Sequence, residues 1–326
     1  MLSVVMITYM HEAYIAEAIN GVLMQQCDFD VELIIADDCS PDNTRVIVES
    51  FENHPNYKWI NYIRHDSNKG MMSNFIWALA QASGKYIALC EGDDYWTDPL
   101  KLQKQVGFLE GNDEFSGVFH NQTVINSLDG IQWNKINKRM DPVPEANREV
   151  TFDDLLQGKY RVPTRTILFE RESYNENIIT NEKFSIGDLP LAFIITNCKP
   201  LFYFNEYMAT YRLHENGTSN NKDVLNVVQR RIVYFRTWIF IFDWAYHYSN
   251  YGKYESYKRG IDRYYKNFIK ANQSIKSNSL IFKTIINLNS KRTTSLKEKC
   301  RFLIFQSKSL LLFLLKRMLL NKIKSE

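Results

Sequence analysis

The chain has 326 residues, 45% of them hydrophobic, with 40 Lys and Arg against 37 Asp and Glu for a formal net charge of +3. That length buries a sizeable core and leaves room for one large domain plus an extension, while the near balance of charge excludes a whole-protein nucleic-acid footprint. Five cysteines, Cys27, Cys39, Cys90, Cys198 and Cys300, form no CxxC pair, which argues against a zinc ribbon or a disulfide framework and for a reducing cytosol.

The first 125 residues alternate strand and helix patterns joined by short polar connections, the signature of an α/β fold with a largely parallel sheet covered by helices. "LSVVMI" (2–7) lacks the basic flank and cleavage site of a signal peptide and reads as the first strand. Ile15, Ile19, Val22 and Leu23 then share one helical face. "VELIIA" (31–36) is the second strand, followed by the turn-and-cap cluster "DDCSPDNT" and a helix carrying Val46, Ile47 and Phe51. "WINYIR" (59–64) is the third, and the loop "HDSNKG" leads into a helix with the stripe Phe75, Ala78, Leu79 and Ala82. "YIAL" (86–89) ends at an acidic cluster, after which Leu102, Val106 and Leu109 mark a fourth helix and "SGVFHN" (116–121) a further strand.

That cluster, Glu91, Asp93 and Asp94 within "ALCEGDDYWTDP", is the strongest chemical signal in the chain. Like charges held this close raise one another's pKa, so a strand end that carries them requires a cation or a phosphate-bound metal. Open α/β sheets bind ligands at the carboxyl ends of their strands. Polar groups fall there four times: Thr8 and Tyr9, Asp37 and Asp38, His65 to Asn68, and Glu91 to Asp94. Asp37 and Asp38 alone read equally well as cap and turn residues, but four strand ends on one rim make a site.

From 126 to 149 the pattern gives way to a polar stretch containing "DPVPEAN", a surface loop or lid-like insertion. "VTFDDLLQG" is a short helix with Asp153 and Asp154 in its first turn, "TRTILF" a strand, "KFSIGDLPLAFIITN" a loop entering a helix, and "LFYFNEYMATYRLHENG" a strand-like pair. Beyond Asp223 the chain is predominantly helical, and "IVYFRTWIFIFDWAYHY" (232–248) reads as packed inside a helical subdomain. The tail "KEKCRFLIFQSKSLLLFLLKRMLLNKIKS" (297–325) mixes apolar runs with basic residues. It suits an interfacial helix on an anionic membrane surface, or equally a helix that docks on the core or pairs with its copy in a homodimer. No run reaches the roughly 18 uninterrupted apolar residues of a membrane span.

The segments "SVVMITYMHEAYIAEAI", "ELIIADDCSPDNT", "NKGMMSNFIWALAQASGKYIALCEGDDYWTDPLKLQKQ", "IGDLPL" and "YRLHENG" follow one another over residues 1–220. Together they resemble the family-2-type glycosyltransferases of bacterial surface-polysaccharide synthesis, which have the GT-A (Rossmann-like) nucleotide-sugar-binding fold. The resemblance implies a GT-A catalytic domain over 1–220, with a nucleotide-binding half (1–125) and an acceptor half (126–220), and a helical C-terminal extension over 221–326. It implies an inverting transfer of a sugar from a nucleotide-diphosphate donor, a UDP-sugar by default, to a hydroxyl of a glycan or lipid-linked acceptor, with no nucleic-acid partner. A cytoplasmic enzyme is implied, peripheral on the inner membrane face if the tail meets lipid.

Glu91-Gly92-Asp93 stands at the family's DxD motif, with Glu91 replacing the commoner Asp and Mg2+ or Mn2+ as the cation that bridges the donor phosphates. The implied metal ligands are Asp93 and His214. Thr8, Tyr9 and Asp38 are then set against base and ribose, and Asn68, Gly70, Glu91, Asp94 and Arg212 complete the donor contacts. Asp188 in "SIGDLPL" falls at the family's general-base position, where apolar Ile186, Leu189 and Leu191 would raise its pKa; its other reading is a helix N-cap. His11, His54, His120 and His247 receive no role. Two alternatives compete. A nucleotidyltransferase of the same fold would show a Gly-rich, basic phosphate loop that "MITYMHEAY" lacks, and a non-catalytic donor-binding scaffold need not keep both Asp93 and Asp188.

Overall fold

The computed structural model describes residues 1–126, 131–133, 142–174, 184–214, 217, 227–250 and 252–271. The chain divides into two units, Met1–Lys270 and Ala271–Glu326; the first is described below, and the tail helix expected at 297–325 lies outside the described residues. Strands β1 (Leu2–Thr8), β2 (Val31–Asp37), β3 (Ile60–Arg64) and β4 (Tyr86–Leu89) run parallel in the order β3-β2-β1-β4. Because β2 and β3 lie to one side of β1 and β4 to the other, a crevice opens at the carboxyl end of β1.

The near-continuous apolar runs of β1, β2 and β4 follow from burial on both faces. Leu2, Val4, Met6, Leu33, Ile35 and Ala88 pack with Ile15, Ile19 and Val22 of α1 (Ile15–Leu23), Val48 of α2 (Thr44–Glu49) and, further along, Leu102, Val106 and Leu109 of α4 (Lys101–Glu110). Helix α3 (Met71–Ala80) covers the other face, where Phe75 meets Val5, Ile7 and Leu89. Val46 of α2 points to solvent at 63% exposure, because Thr44 and Val48 set the buried face.

The sheet continues through β5 (Tyr95–Trp96), β6 (Gly117–Asn126), β7 (Ile131–Trp133), β8 (Arg148–Val150), β9 (Leu168–Glu170) and β10 (Leu201–Leu213), giving ten strands among the described residues. β9 is antiparallel to β4 and β6, while β10 runs parallel to β6 and carries β5 on its outer side. The strand pair expected around 201–213 is one strand bent by two register shifts between Phe204 and Ala209, which is why polar "NE" interrupts its apolar pattern. Only the last part of "TRTILF" is extended. Thr164–Thr166 forms a 3-10 turn in which the Thr166 hydroxyl donates to the Pro163 carbonyl at 2.7 Å.

Helix α5 (Phe152–Leu156) begins with a capping box between Thr151 and Asp154, as its acidic first turn suggested. Its Phe152 packs on Phe193 of α6 (Asp188–Cys198), which in turn meets Phe242 of α7 (Val227–Tyr248); α8 (Tyr254–Ala271) follows. Among the described residues no helix is long and apolar enough to cross a membrane.

One contact fixes the strand that follows the acidic cluster. A Cβ on Gly21 of α1 would lie 2.8 Å from the Trp96 nitrogen and 3.0 Å from its carbonyl oxygen, so only glycine lets helix and strand meet. Beneath Trp96 the fully buried Lys101 sets its Nζ 3.8 Å from the indole centre and donates to Gln105 Oε1 at 2.8 Å. Burial pulls that ammonium down to about 7. Trp96 Nε1 in turn donates to the Arg165 carbonyl, and Gln105 Nε2 to the carbonyls of Val118 and Thr166.

Candidate active site

The loops leaving β1 and β2 are laced to each other. Met10 N donates to Ser40 Oγ at 3.0 Å, His11 N to Thr44 Oγ1 at 3.2 Å, and Glu12 N to Asp42 Oδ2 at 3.1 Å. In return, Asn43 donates to the Glu12 carboxylate through both its backbone and its side-chain nitrogen at 2.9 Å. This lacing holds Met10 and Cys39 in left-handed backbone, φ 58° and 63°, where non-glycine residues are strained.

Asp38 is buried, and its carboxylate accepts the backbone N–H of Lys69 at 2.6 Å and of Gly70 at 2.9 Å. Asn68 Oδ1 accepts the same Gly70 N–H at 3.0 Å, and Gly70 has φ 84°, a conformation glycine supplies. Asp38, Asn68 and Gly70 therefore form one corner. Thr8 is buried at the end of β1 with an Oγ1 that has no hydrogen-bond partner among the described residues, and Tyr9 beyond it is exposed.

The structure sorts the three clustered carboxyls. Glu91 has its Oε2 sealed from solvent without a hydrogen-bond partner among the described residues; burial, opposed by Arg165 and a hydrogen bond from Thr164, pushes its carboxyl up. Asp94 is 2% exposed, takes the Arg212 backbone N–H at 2.8 Å and lies 2.9 Å from Arg165 Nε. Burial, opposed by Arg165 and reinforced by Asp93 and Glu91, pushes Asp94 well up. Asp93 alone goes the other way. Burial works against its charge, but the hydrogen bond with His214 and the charges of His11 and His214 outweigh it and hold Asp93 below the usual carboxylate range.

His214 Nε2 is 3.0 Å from Asp93 Oδ2, with the His214 ring packed on Tyr14 at 4.5 Å between centres. His11, given no role by the sequence, brings Nε2 to 3.9 Å from the same oxygen, and burial, opposed by Asp93, lowers its pKa. Arg212 donates through Nε to the Asp93 carbonyl at 3.1 Å and pairs with Glu17 of α1 through Nη2. His11, Tyr14, Glu17 and Arg165 are thus site residues that sequence reasoning missed. The only hint was that all but Arg165 fall in the segment directly after β1.

Asp188 is the first residue of α6, half-buried, and the cap position belongs to Gly187, with no side-chain cap hydrogen bond. A Cβ on Gly187 would lie 2.7 Å from the Phe75 ring, so this helix end is pressed against α3. Phe75 also borders, with Val5, Ile7, Leu89, Cys90 and Glu91, a small cleft at the ends of β1 and β4. Gly187, the residue before Asp188, thus presses on a ring that borders the same cleft as Glu91.

The family model for glycosyl transferase family 2 matches residues 3–174, more than half the chain. An uncharacterized protein of Mycobacterium tuberculosis, Rv1520, is 36% identical over 217 residues, 66% of this chain and 60% of its own length. The chain thus spans about three fifths of that relative. The putative teichuronic acid biosynthesis glycosyltransferase TuaG of Bacillus subtilis is 28% identical over 223 residues, 68% of this chain and 82% of TuaG. Among solved structures, S. aureus TarS 1-349 in complex with UDP-GlcNAc superposes with a TM-score of 0.66 at 17% identity, covering 88% of this chain and 79% of that one. This likeness gives the fold, the GT-A arrangement expected from the sequence.

Proposed function

The chain belongs to glycosyl transferase family 2, and on that premise we propose that it moves a sugar from a UDP-sugar to a hydroxyl of a glycan or lipid-linked acceptor, with inversion, in surface-polysaccharide synthesis. The observation that carries this proposal is the sorting of the carboxyls at the end of β4: one partly exposed, charged Asp93 paired with His214, on the rim that also holds Thr8 and Asp38. The UDP-GlcNAc named for TarS supports a UDP-sugar, and the teichuronic acid role named for TuaG supports a polysaccharide product.

Asp93 and His214 suit a divalent cation that arrives with the donor. Among the described residues no group of three or more His, Cys, Asp or Glu could hold a metal by itself, so diphosphate oxygens would complete the ligand set, as in other substrate-borne sites. When bound, such an ion neutralises the charge that builds on the departing diphosphate. The chain's own residues do the rest. Asp38 fixes the loop of Asn68 and Gly70 that frames the nucleotide, and Tyr9 offers its exposed ring to the base. Asp188 takes the proton from the acceptor hydroxyl as it attacks the anomeric carbon.

A panel of nucleotide sugars, assayed by thermal shift and by release of nucleoside diphosphate with and without Mn2+, tests the proposal. Manganese-dependent stabilisation by UDP-sugars and release of UDP are expected, and no response to any member would sink it. A finer expectation concerns Gly92, whose Cβ would meet Thr8 Oγ1 at 2.9 Å and His11 Nδ1 and Ile15 Cδ1 at 3.0 Å. Gly92→Ala should lower kcat/KM about tenfold, roughly 1.4 kcal/mol, by pushing the acidic loop off the β1 end. Steady-state kinetics within twofold of the unmodified chain would show that the loop absorbs the methyl group.

A further inference from the structure

Arg212, expected at the donor phosphates, also makes a set of contacts within the protein. Its backbone N–H meets Asp94 Oδ1 at 2.8 Å, its Nε meets the Asp93 carbonyl at 3.1 Å, and its Nη2 pairs with Glu17. The guanidinium carbon lies 5.0 Å from the centre of the Tyr14 ring and 5.1 Å from that of Tyr95, and the side chain is only 11% exposed. A planar fork held by a carboxylate at one end and stacked near two aromatic rings has one orientation left to it. The group it then presents to the acidic loop is the N–H that fixes the Asp93 main chain.

Resting on the metal-assisted transfer proposed above, we infer that Glu17 is a positioning residue: it holds Arg212, and Arg212 holds the loop that aims the Asp93 carboxylate. Glu17 makes its contribution from outside the rim. It lies in the first turn of α1, and its side chain is 59% exposed. An ion pair this open adds little to overall stability. What it supplies is direction, because without it the guanidinium can leave the Asp93 carbonyl and the loop between β4 and β5 loses a tether that joins it to both α1 and β10.

Three measurements on the full chain separate this role from a structural one and from phosphate binding. Glu17→Gln should leave the melting temperature within about 2 °C. It should lower kcat about fivefold with the donor KM within twofold, and raise the Mn2+ concentration for half-saturation, read by Mn2+ electron paramagnetic resonance in the presence of UDP, by a similar factor. Hydrogen exchange of the amides at 91–96 should quicken severalfold in Glu17→Gln without any metal present. Arg212→Lys should show the same pattern, and the double variant should be no worse than Arg212→Lys alone. The inference is overturned if Glu17→Gln matches the unmodified chain in exchange and in Mn2+ half-saturation. It is overturned equally if Arg212→Lys weakens metal-free UDP binding tenfold while Glu17→Gln does not, since Arg212 would then be a phosphate ligand. Absence of any Mn2+ binding by the unmodified chain would instead count against the metal-assisted transfer itself.

Discussion

Asp188→Asn is expected to lower kcat about a thousandfold, roughly 4 kcal/mol of barrier, while UDP and Mn2+ bind as before. The substitution keeps the size and hydrogen-bonding outline of the side chain and removes only its capacity to accept a proton. Structural damage should be slight, because the cap position of α6 belongs to Gly187, which is pressed against the Phe75 ring. The helix itself is anchored by a nearly unbroken buried stretch from Leu189 to Thr196, and the segment before it by Phe184, whose ring packs against Phe240 and Trp244 of α7 at 5.8 and 5.0 Å. A loss of turnover with an unchanged melting temperature and unchanged UDP affinity would therefore speak for proton transfer. Turnover within tenfold of the unmodified chain would remove Asp188 from the base role and leave the acceptor proton to another group.

How far the sequence reaches into this site depends on the range of the interactions involved. Strands β1, β2 and β4 were legible because burial on both faces writes an apolar run that needs no partner to be recognised. Thr8, Asp38 and Asp93 were legible for a related reason: they are the polar residues at the ends of those runs. The two-residue β5 left no pattern, and its place is set by Gly21, some 70 positions earlier, and by β10 far downstream. Arg212 and Glu17 are 195 positions apart, so neither residue's neighbours announce the pairing. Arg165 lies in a turn that read as strand, and its partner Asp94 read as a donor contact because it stands beside Asp93 of the motif. Adjacent residues of one loop face opposite ways, and only the fold decides that Asp94 turns toward Arg165 while Asp93 stays at the rim.

That difference sets the expectation for Asp93→Asn, which should abolish measurable Mn2+ binding in the presence of UDP and lower kcat about a thousandfold or more. Asparagine keeps the hydrogen bond to His214 open to it but carries no charge for a hard cation. The acid side of the stability profile should change as well. Asp93 has an ordinary pKa of 3.8 and is held below it in the folded chain, after burial has been outweighed by the His214 hydrogen bond and the nearby imidazoles. A carboxylate depressed on folding adds stability that is fully present above its unfolded pKa and is lost as pH falls through the lower, folded value. The variant lacks that contribution, so its melting temperature should fall less than that of the unmodified chain as pH drops below about 4. The two histidines complete the case. They converge on Asp93 Oδ2 at 3.0 and 3.9 Å, and they lose that acidic partner when the charge is removed. Retained Mn2+ binding in Asp93→Asn, with the two melting curves parallel through the acid range, would mean that the cation is held elsewhere and that Asp93 serves the fold.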